Sequence, residues 1–336
     1  MNSLNRKPCI ALLQGDACGI GPELMSKLLA DDAVRARANL LIVSDKRVFE
    51  NGDKVTGNIT EVRIIERMDE VDFSDGIPNL LDTKNINPAD ITPGVVSKLS
   101  GAAVLENLGF VVDLAKNKVV DGICFTPFNK DALHQGGMDV DDELSWIKQR
   151  LNVTSRSGEF NVVDGMWNAR VTSHVPIKDV AGLLTVERIL QAILLSDETL
   201  KAAGFDRPRI AVAALNPHAG DGGTIGREEI DIIAPAIEKA KAKQINVAGP
   251  FPSDTLYLKV RDGDYDCAVS MFHDQGQIAI KLLGFHKGVT VHAGLPMPIA
   301  TPAHGTAFDI VGTNTANVVP TLNAFMMVAD MIENHK

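Results

Sequence analysis

Three histidines occupy equivalent positions along the chain and could together bind a metal ion. His174, His218 and His273 each follow an apolar run at the point where it gives way to a polar loop. A single histidine at such a position more often makes a structural hydrogen bond than binds a ligand. Three imidazoles at one sheet edge, however, suit Zn, Fe, Co or Ni and leave a coordination position for a substrate. Asn216 and Asp274 are natural partners that would fix the histidine tautomers.

Glycine-rich segments supply further candidate binding loops. Residues 15–23 follow the first apolar run, but Leu24 replaces the third glycine of a dinucleotide fingerprint. Residues 220–229 open a helical pattern, where glycines can cradle an anion, yet no Lys-Ser or Lys-Thr follows as in a P-loop. Residues 304–312 include Gly305 and Gly312, which let the backbone approach a ligand, and Asp309, which can bond the two hydroxyls of a ribose.

The composition describes a folded protein of about two domains. A chain of 336 residues with 45% hydrophobic residues is neither disordered nor fibrous, and its length suggests about two domains. With a net charge of −10 the chain lacks the excess of positive charge that is typical of proteins that bind nucleic acid or an anionic membrane. No C-x-x-C pair occurs, so a thiolate zinc site is not expected. We find no pattern of a signal peptide or a membrane span, which favours a cytoplasmic location.

Alternating sequence patterns predict the elements that must position these residues. The predicted strands are residues 9–14, 40–43, 120–126, 171–175, 209–215, 267–272 and 289–292. The predicted helices are residues 22–30, 101–116, 187–203, 227–243 and 320–333. Residues 128–163 are predicted to be irregular and to cross between domains. The alternation indicates an α/β protein with a largely parallel sheet, in which ligands bind beyond the carboxyl ends of the strands.

Six segments taken together resemble the 4-hydroxythreonine-4-phosphate dehydrogenase family. In the family's order they are GDACGIGPE at 15–23, HVP at 174–176, LNPHAG at 215–220, GPFPSDT at 249–255, HDQG at 273–276 and HGTA at 304–307. The resemblance implies the two-domain α/β fold of the isocitrate and isopropylmalate dehydrogenases, with mainly parallel sheets and an interdomain cleft. It implies one domain of residues 1–130 plus 295–336, which carries the cofactor loop. The second domain, residues 131–294, would carry the metal ligands and the dimer contacts.

The resemblance also implies roles for individual residues. His174, His218 and His273 match the metal ligands of a homodimer with a shared active site, one of them donated by the partner subunit. Zinc is the expected ion, with Mg, Mn, Co and Ni as alternatives. Asp254 is the candidate for proton handling, and Lys281 matches an anion-binding lysine. The cofactor loop comprises His304, Gly305, Thr306, Ala307, Asp309, which would bind the adenosine ribose, and Asn317, near the adenine. Because a carboxylate disfavours a 2′-phosphate, we expect NAD rather than NADP.

The chain departs from the family pattern where the substrate would bind. The family's Gly-His-Thr-Glu stretch is replaced by residues 140–143, which include Asp141 and Asp142. Its asparagine is replaced by Thr290, and its phosphate-binding arginine falls at Ile299. Charge-assisted bonds contribute roughly 1.5–3 kcal/mol each, so these changes oppose a bound phosphate. We expect Lys281, Thr290, Asp141, Asp142 and His292, a substitute for the arginine, to contact the substrate.

These features predict a divalent-metal- and NAD-dependent dehydrogenase that oxidises a secondary alcohol of a small hydroxy acid. Loss of CO₂ would follow if a carboxylate lies β to the new ketone. Within the family this activity belongs to pyridoxine biosynthesis. One alternative is a paralogue acting on a phosphorylated tetronate or a cis-dihydrodiol carboxylate. Another is a phosphotransacetylase-like acyltransferase, which the three histidines disfavour, and a third is a non-catalytic binding protein.

Overall fold

The computed structural model describes residues 7–334, which form two compact units. Unit 1 comprises the described residues up to Thr154 and those from Leu295 onward, and unit 2 is Ser155–Gly294. The strands are β1 Cys9–Leu13, β2 Asn39–Ser44, β3 Arg63–Ile65, β4 Asn79–Asp82, β5 Gly122–Phe125, β6 Gly158–Val163, β7 Met166–Arg170, β8 Ile210–Ala213, β9 Val247–Phe251, β10 Cys267–Ser270, β11 Val289–Ala293 and β12 Ile299–Pro302.

Helices cover the faces of the two units. They are α1 Gly21–Leu29, α2 Asp32–Arg37, α3 Lys46–Thr56, α4 Lys98–Lys116, α5 Lys130–Gly136, α6 Glu143–Leu151, α7 Ile177–Leu183, α8 Val186–Ala202, α9 Ala234–Ala242, α10 Ser253–Arg261, α11 His273–Gly284 and α12 Val319–Asn334. A short π-helical segment, Glu229–Ile233, leads into α9. Among residues 7–334, none of the helices combines the length and the hydropathy that a bilayer-spanning segment requires.

Unit 1 is built on a parallel sheet. Its strand order is β3-β4-β2-β1-β5-β12, and each neighbouring pair is parallel. All five residues of β1 are buried, because a parallel strand covered by helices on both faces needs apolar side chains on both faces. Ser97 accepts a hydrogen bond from the backbone N–H of Ser100 and so begins α4, which packs into the core of this unit.

The predicted domain boundary at residue 130 is wrong, because residues 131–154 belong to unit 1. The segment predicted to be irregular contains α5, α6 and β6. Helix α5 lies directly against α4, and a Cβ added to Gly101 would lie 1.7 Å from the carbonyl oxygen of Ala132. This backbone contact requires glycine at one position of α4, a feature that helical periodicity does not reveal.

Unit 2 has a mixed sheet with the strand order β11-β6-β7-β10-β8-β9. Strand β6 is antiparallel to β11 and β7, whereas β7, β10, β8 and β9 run parallel. The predicted strand 171–175 is wrong, since β7 ends at Arg170 and the backbone N–H of Val175 closes a turn onto Ser173. The β6–β7 hairpin was not predicted, although Asp164 and Gly165, both with positive φ, supply its two-residue turn.

The contact between α4 and α5 leads to a prediction about stability. We expect Gly101→Ala to lower the free energy of unfolding by about 1–3 kcal/mol, because the added methyl group overlaps the α5 backbone. Gly182→Ala in α7 is the control, since no atom lies within 4 Å of its added Cβ and alanine favours the helix. Urea unfolding measures the free energy of unfolding of both variants and of wild type. A Gly101→Ala variant as stable as wild type would contradict the packing described for Gly101.

Candidate metal and dinucleotide sites

Two of the three candidate metal ligands lie side by side in unit 2. His174 lies in the turn between β7 and α7, and His273 is the first residue of α11, directly after β10. Their ring centroids are 5.7 Å apart and their planes are inclined by 42°. Because β7 and β10 are parallel neighbours, the residues that follow them leave the same edge of the sheet. Neither ring is buried, so the pair is accessible to an ion.

A carboxylate orients one ring of this pair. Nδ1 of His273 lies 2.7 Å from Oδ1 of Asp274. When Nδ1 carries the proton of that hydrogen bond, Nε2 is the ligand atom, as in carboxylate–histidine–metal triads. Asn216 uses its Nδ2 elsewhere, donating to the carboxylates of Glu228, at 2.7 Å, and Glu229, at 3.0 Å.

The third histidine does not join the pair within one chain. His218 is exposed in the segment Pro217–Gly223, where residues 218–222 adopt positive φ. Across residues 7–334, no group of three or more His, Cys, Asp or Glu side chains is arranged to hold a metal ion. One chain therefore offers an accessible pair of imidazoles whose chemistry fits Zn, but it does not offer a complete coordination shell.

Gln275 fixes the backbone around the histidine pair. Its Oε1 accepts a hydrogen bond from the backbone N–H of Met271 at 2.6 Å. Its Nε2 donates to the carbonyl of Ala214 at 2.7 Å and to Oγ of Ser253 at 2.8 Å. A single amide thus joins the ends of β10 and β8 to the start of α10, where the proposed proton-handling residue Asp254 is exposed. In the sequence, the only indication that Gln275 has a role at the site was its position inside the HDQG segment.

Glu229 anchors the loop that carries His218. This carboxylate is 3% exposed and accepts hydrogen bonds from the backbone N–H groups of Leu215, at 2.9 Å, and Asn216, at 2.7 Å. Burial alone would raise the pKa of Glu229, but the hydrogen bonds from Asn216 and Leu215 outweigh it and lower the pKa. The loop therefore depends on an ionised carboxylate beneath it.

This lowered pKa predicts a pH dependence of stability. A carboxyl group whose pKa is lowered by folding stabilises the protein at every pH above its ordinary pKa, which is about 4.3 for glutamate. This stabilisation is lost as the pH falls through the pKa of the folded state. We expect Glu229→Gln to be less stable than wild type near pH 7 and to lose less stability between about pH 5 and pH 2. Glu238→Gln, an exposed position on α9, is the control. Parallel pH profiles for wild type and Glu229→Gln would contradict this role.

The predicted substrate residues of unit 2 differ in exposure. Lys281 is exposed on α11. Thr290 lies on β11, where its Oγ1 accepts a hydrogen bond from Nδ2 of Asn161 at 3.1 Å. His292 is 4% exposed and lies opposite Glu159 of β6 in the strand register. Substrate access is therefore greatest at Lys281.

The predicted substrate residues of unit 1 have different local roles. Asp141 is exposed, whereas Asp142 accepts a hydrogen bond from the backbone N–H of Ser145 at 2.8 Å and begins α6 as its N-cap. Ile299, the position predicted to match the family's phosphate-binding arginine, is fully buried in β12. This position contributes to the core and offers no charge to a substrate.

The predicted cofactor loop of unit 1 exposes its ribose-binding candidate. Asp309 is exposed on the short 3-10 turn Phe308–Ile310, after Ala307 at φ +43°. Burial lowers the pKa of His304, and the contact of its Nδ1 with the Gly305 carbonyl at 3.0 Å opposes this only in part. Oδ1 of Asn317 accepts from the backbone N–H of Val319 at 3.0 Å, where α12 begins. Thr306 is 7% exposed, whereas Gly305 is exposed.

Asp16 supports the turn before α1. This carboxylate, at the end of β1, is 1% exposed, and its Oδ1 accepts hydrogen bonds from Oγ of Ser100 and from the backbone N–H of Cys18. Burial raises the pKa of Asp16, although these two hydrogen bonds lower it in part. Its burial and partners indicate a structural role in the turn of residues 15–21.

Comparison with known proteins identifies the family. The model of the pyridoxal phosphate biosynthetic protein PdxA matches residues 36–328. The protein named "Putative 4-hydroxythreonine-4-phosphate dehydrogenase 2" of Pseudomonas aeruginosa is 46% identical over 96% of this chain and 97% of its own. The D-threonate 4-phosphate dehydrogenase of Cupriavidus necator is 35% identical over 96% of this chain and 97% of its own.

Solved structures agree with this relationship. The crystal structure of 4-hydroxythreonine-4-phosphate dehydrogenase from Klebsiella pneumoniae has a TM-score of 0.85 at 33% identity, over 98% of this chain and all of that chain. A β-decarboxylating dehydrogenase from Thermococcus kodakarensis shares the fold alone, with a TM-score of 0.54 at 14% identity, over 96% of this chain and 83% of that chain. The predicted α/β fold is confirmed, and the protein is an oxidoreductase of the dehydrogenase class. The chain belongs to the family of the pyridoxal phosphate biosynthetic protein PdxA.

Proposed function

We propose that this protein is a divalent-metal- and NAD-dependent dehydrogenase that oxidises a secondary alcohol of a small phosphorylated hydroxy acid. The observation that carries the proposal is the pair of imidazoles, His174 and His273, 5.7 Å apart at the carboxyl ends of β7 and β10. The names of its relatives, which specify 4-hydroxythreonine 4-phosphate and D-threonate 4-phosphate, support this substrate class. A phosphorylated tetronate is the alternative substrate within this class, and a role in pyridoxine biosynthesis applies only if 4-hydroxythreonine 4-phosphate is used.

The residues of unit 2 would bind the metal and substrate. His174 and His273 would hold a divalent ion, with zinc as the preferred ion. Such an ion supplies Lewis-acid polarisation of the substrate hydroxyl and stabilises an enolate if CO₂ is lost. Asp254 would accept the hydroxyl proton, and Lys281 would bind the anionic group of the substrate. Asp274 would hold the ring of His273 in the tautomer that presents Nε2.

The residues of the loop in unit 1 would bind the dinucleotide, which supplies the hydride acceptor. Asp309 would accept hydrogen bonds from the adenosine ribose hydroxyls, and Asn317 would lie near the adenine. The exposed carboxylate of Asp309 favours NAD, because a 2′-phosphate would bring a second negative charge to the same place.

A homodimer would complete the coordination shell. Helix α11 exposes Ile278 and Leu282, which are 59% and 83% exposed and lie one turn apart on one face. A second copy of the chain would cover this apolar face. His218, which is exposed and does not join the pair within its own chain, would then be the ligand donated by the partner subunit.

Metal analysis of variants tests the site. We expect His174→Ala and His273→Ala to lose bound zinc, because each removes one of two adjacent nitrogens, while the exposed His286→Ala retains it. A dimer formed from one His174→Ala chain and one His218→Ala chain should regain one intact site, because the pair and the third ligand come from different chains. Full zinc content in His174→Ala would refute the site. A mixed dimer that regains no bound zinc would refute the sharing of metal ligands between the two subunits.

A substrate panel tests the reaction. We expect NADH to form fastest with phosphorylated four-carbon hydroxy acids and more slowly with their unphosphorylated analogues, because Lys281 contributes a charge-assisted contact. Lys281→Met should narrow this preference, whereas Lys287→Met is the control. Equal rates with unphosphorylated acids or dihydrodiol carboxylates would favour the second candidate, a paralogue without phosphate recognition, for which the buried Ile299 is the supporting observation.

A further inference from the structure

The cofactor loop of unit 1 lies directly on the first helix, α1. A Cβ added to Gly19 would lie 2.8 Å from Cβ of Thr306, so only glycine permits this approach. The backbone N–H of Ile20 donates to the carbonyl of Thr306 at 3.1 Å. Apolar contacts extend the interface, with Ile20 and Leu24 packed in one cluster with Ala316. The start of the loop is thus joined to the turn that precedes α1.

Glu23 of α1 holds the middle of the loop. Its side chain is 2% exposed, and Oε1 accepts a hydrogen bond from the backbone N–H of Gly312, which has φ +79°. Oε2 accepts no hydrogen bond from any residue that the structure describes. Glu23, Val311 and Gly312 also line a largely apolar cavity of about 130 Å³. The carboxyl group therefore contacts the loop backbone from a position with little solvent.

Lys27 holds the end of the loop. Its Nζ donates to the carbonyl of Asn314 at 2.9 Å and to that of Ala316 at 2.8 Å. Lys27 lies one helical turn after Glu23, so the two side chains share one face of α1. Residues 312–315 of the loop are exposed, and Thr313 is tied to the preceding turn by its backbone N–H, which donates to the carbonyl of Ile310 at 3.2 Å. Each contact therefore removes conformational freedom that a binding loop would otherwise lose when its ligand binds.

We propose that Glu23 and Lys27 are positioning residues that hold residues 304–317 in the shape that binds the dinucleotide. This inference rests on the proposed function, because it assigns the loop to NAD. Along the chain the two contacts lie between the candidate ligands, since Gly312 follows Asp309 by three residues and Ala316 precedes Asn317 by one. Neither positioning residue needs to touch NAD. They set its affinity by keeping the loop ordered before it binds.

Substitution of Lys27 gives the cleanest test, because its side chain is only partly buried. We expect Lys27→Met to raise the Kd and KM for NAD about tenfold, with kcat, the KM for the hydroxy acid and the zinc content unchanged. Lys27→Arg should restore most of the affinity, since a guanidinium can also donate to two carbonyls. Lys54→Met, at an exposed position of α3, is the matched control.

Hydrogen exchange without NAD provides a second readout. Lys27→Met and Glu23→Met should exchange faster in residues 304–317 than wild type, whereas exchange in the sheet of unit 1 stays unchanged. Glu23→Gln should resemble wild type, because its amide oxygen still accepts from Gly312.

The outcomes separate this inference from the proposed function. If wild type fails to bind NAD, the proposed function is wrong and the inference fails with it. If wild type and Lys27→Met bind NAD equally, the inference alone is wrong. Lys27→Met could instead exchange faster throughout unit 1 and lose as much kcat as NAD affinity. That result would indicate a general structural role for Lys27 and would also overturn the inference.

Discussion

The parallel pairing of β7, β10 and β8 is the constraint on which the candidate metal site depends. Neighbouring strands that run in one direction bring their carboxyl ends to one edge, so segments far apart in the chain leave the sheet together. His174 and His273 become neighbours for this reason. The segments after β7 and β10 are also bonded to each other, since the backbone N–H of Thr172 donates to the carbonyl of Met271 at 3.1 Å. Gln275 joins the backbones at the ends of β10 and β8. The imidazole pair is therefore supported by the sheet and does not depend on loop conformation alone.

Much of the fold follows from the alternation of apolar runs and helical periodicity. Buried parallel strands such as β1 and β8 consist of continuous apolar residues, which makes them easy to recognise. The missed elements have a different character. The β6–β7 hairpin contains buried polar residues, among them Asn168, whose Oδ1 accepts a hydrogen bond from Tyr257. Helices α5 and α6 are short, so their few apolar residues gave no clear period, and the predicted domain boundary was placed too early.

Site residues that belong to recognisable sequence motifs could be predicted. Site residues whose role depends on tertiary contacts could not. The position of each histidine at a strand end predicts that all three gather at one sheet edge, and within one chain the structure brings His174 and His273 together. The loop around Asp309 was singled out as a cofactor loop only by the family resemblance. Local hydrogen bonds such as the N-cap of Asp142 compete with the substrate role proposed for that residue. The roles of Gln275 and Lys27 depend on partners distant in the sequence. A single sequence without its fold cannot show which lysine or glutamine finds such partners.

The central claim is that the imidazole pair of unit 2 binds a catalytic divalent ion. Anomalous diffraction from crystals of the zinc-loaded protein tests it most directly, because the signal locates the ion without reference to activity. We expect a peak between the two rings, with Nε2 of His273 and a nitrogen of His174 about 2.0–2.1 Å from the metal. A protein that binds no zinc, or a zinc peak away from these two side chains, would contradict it.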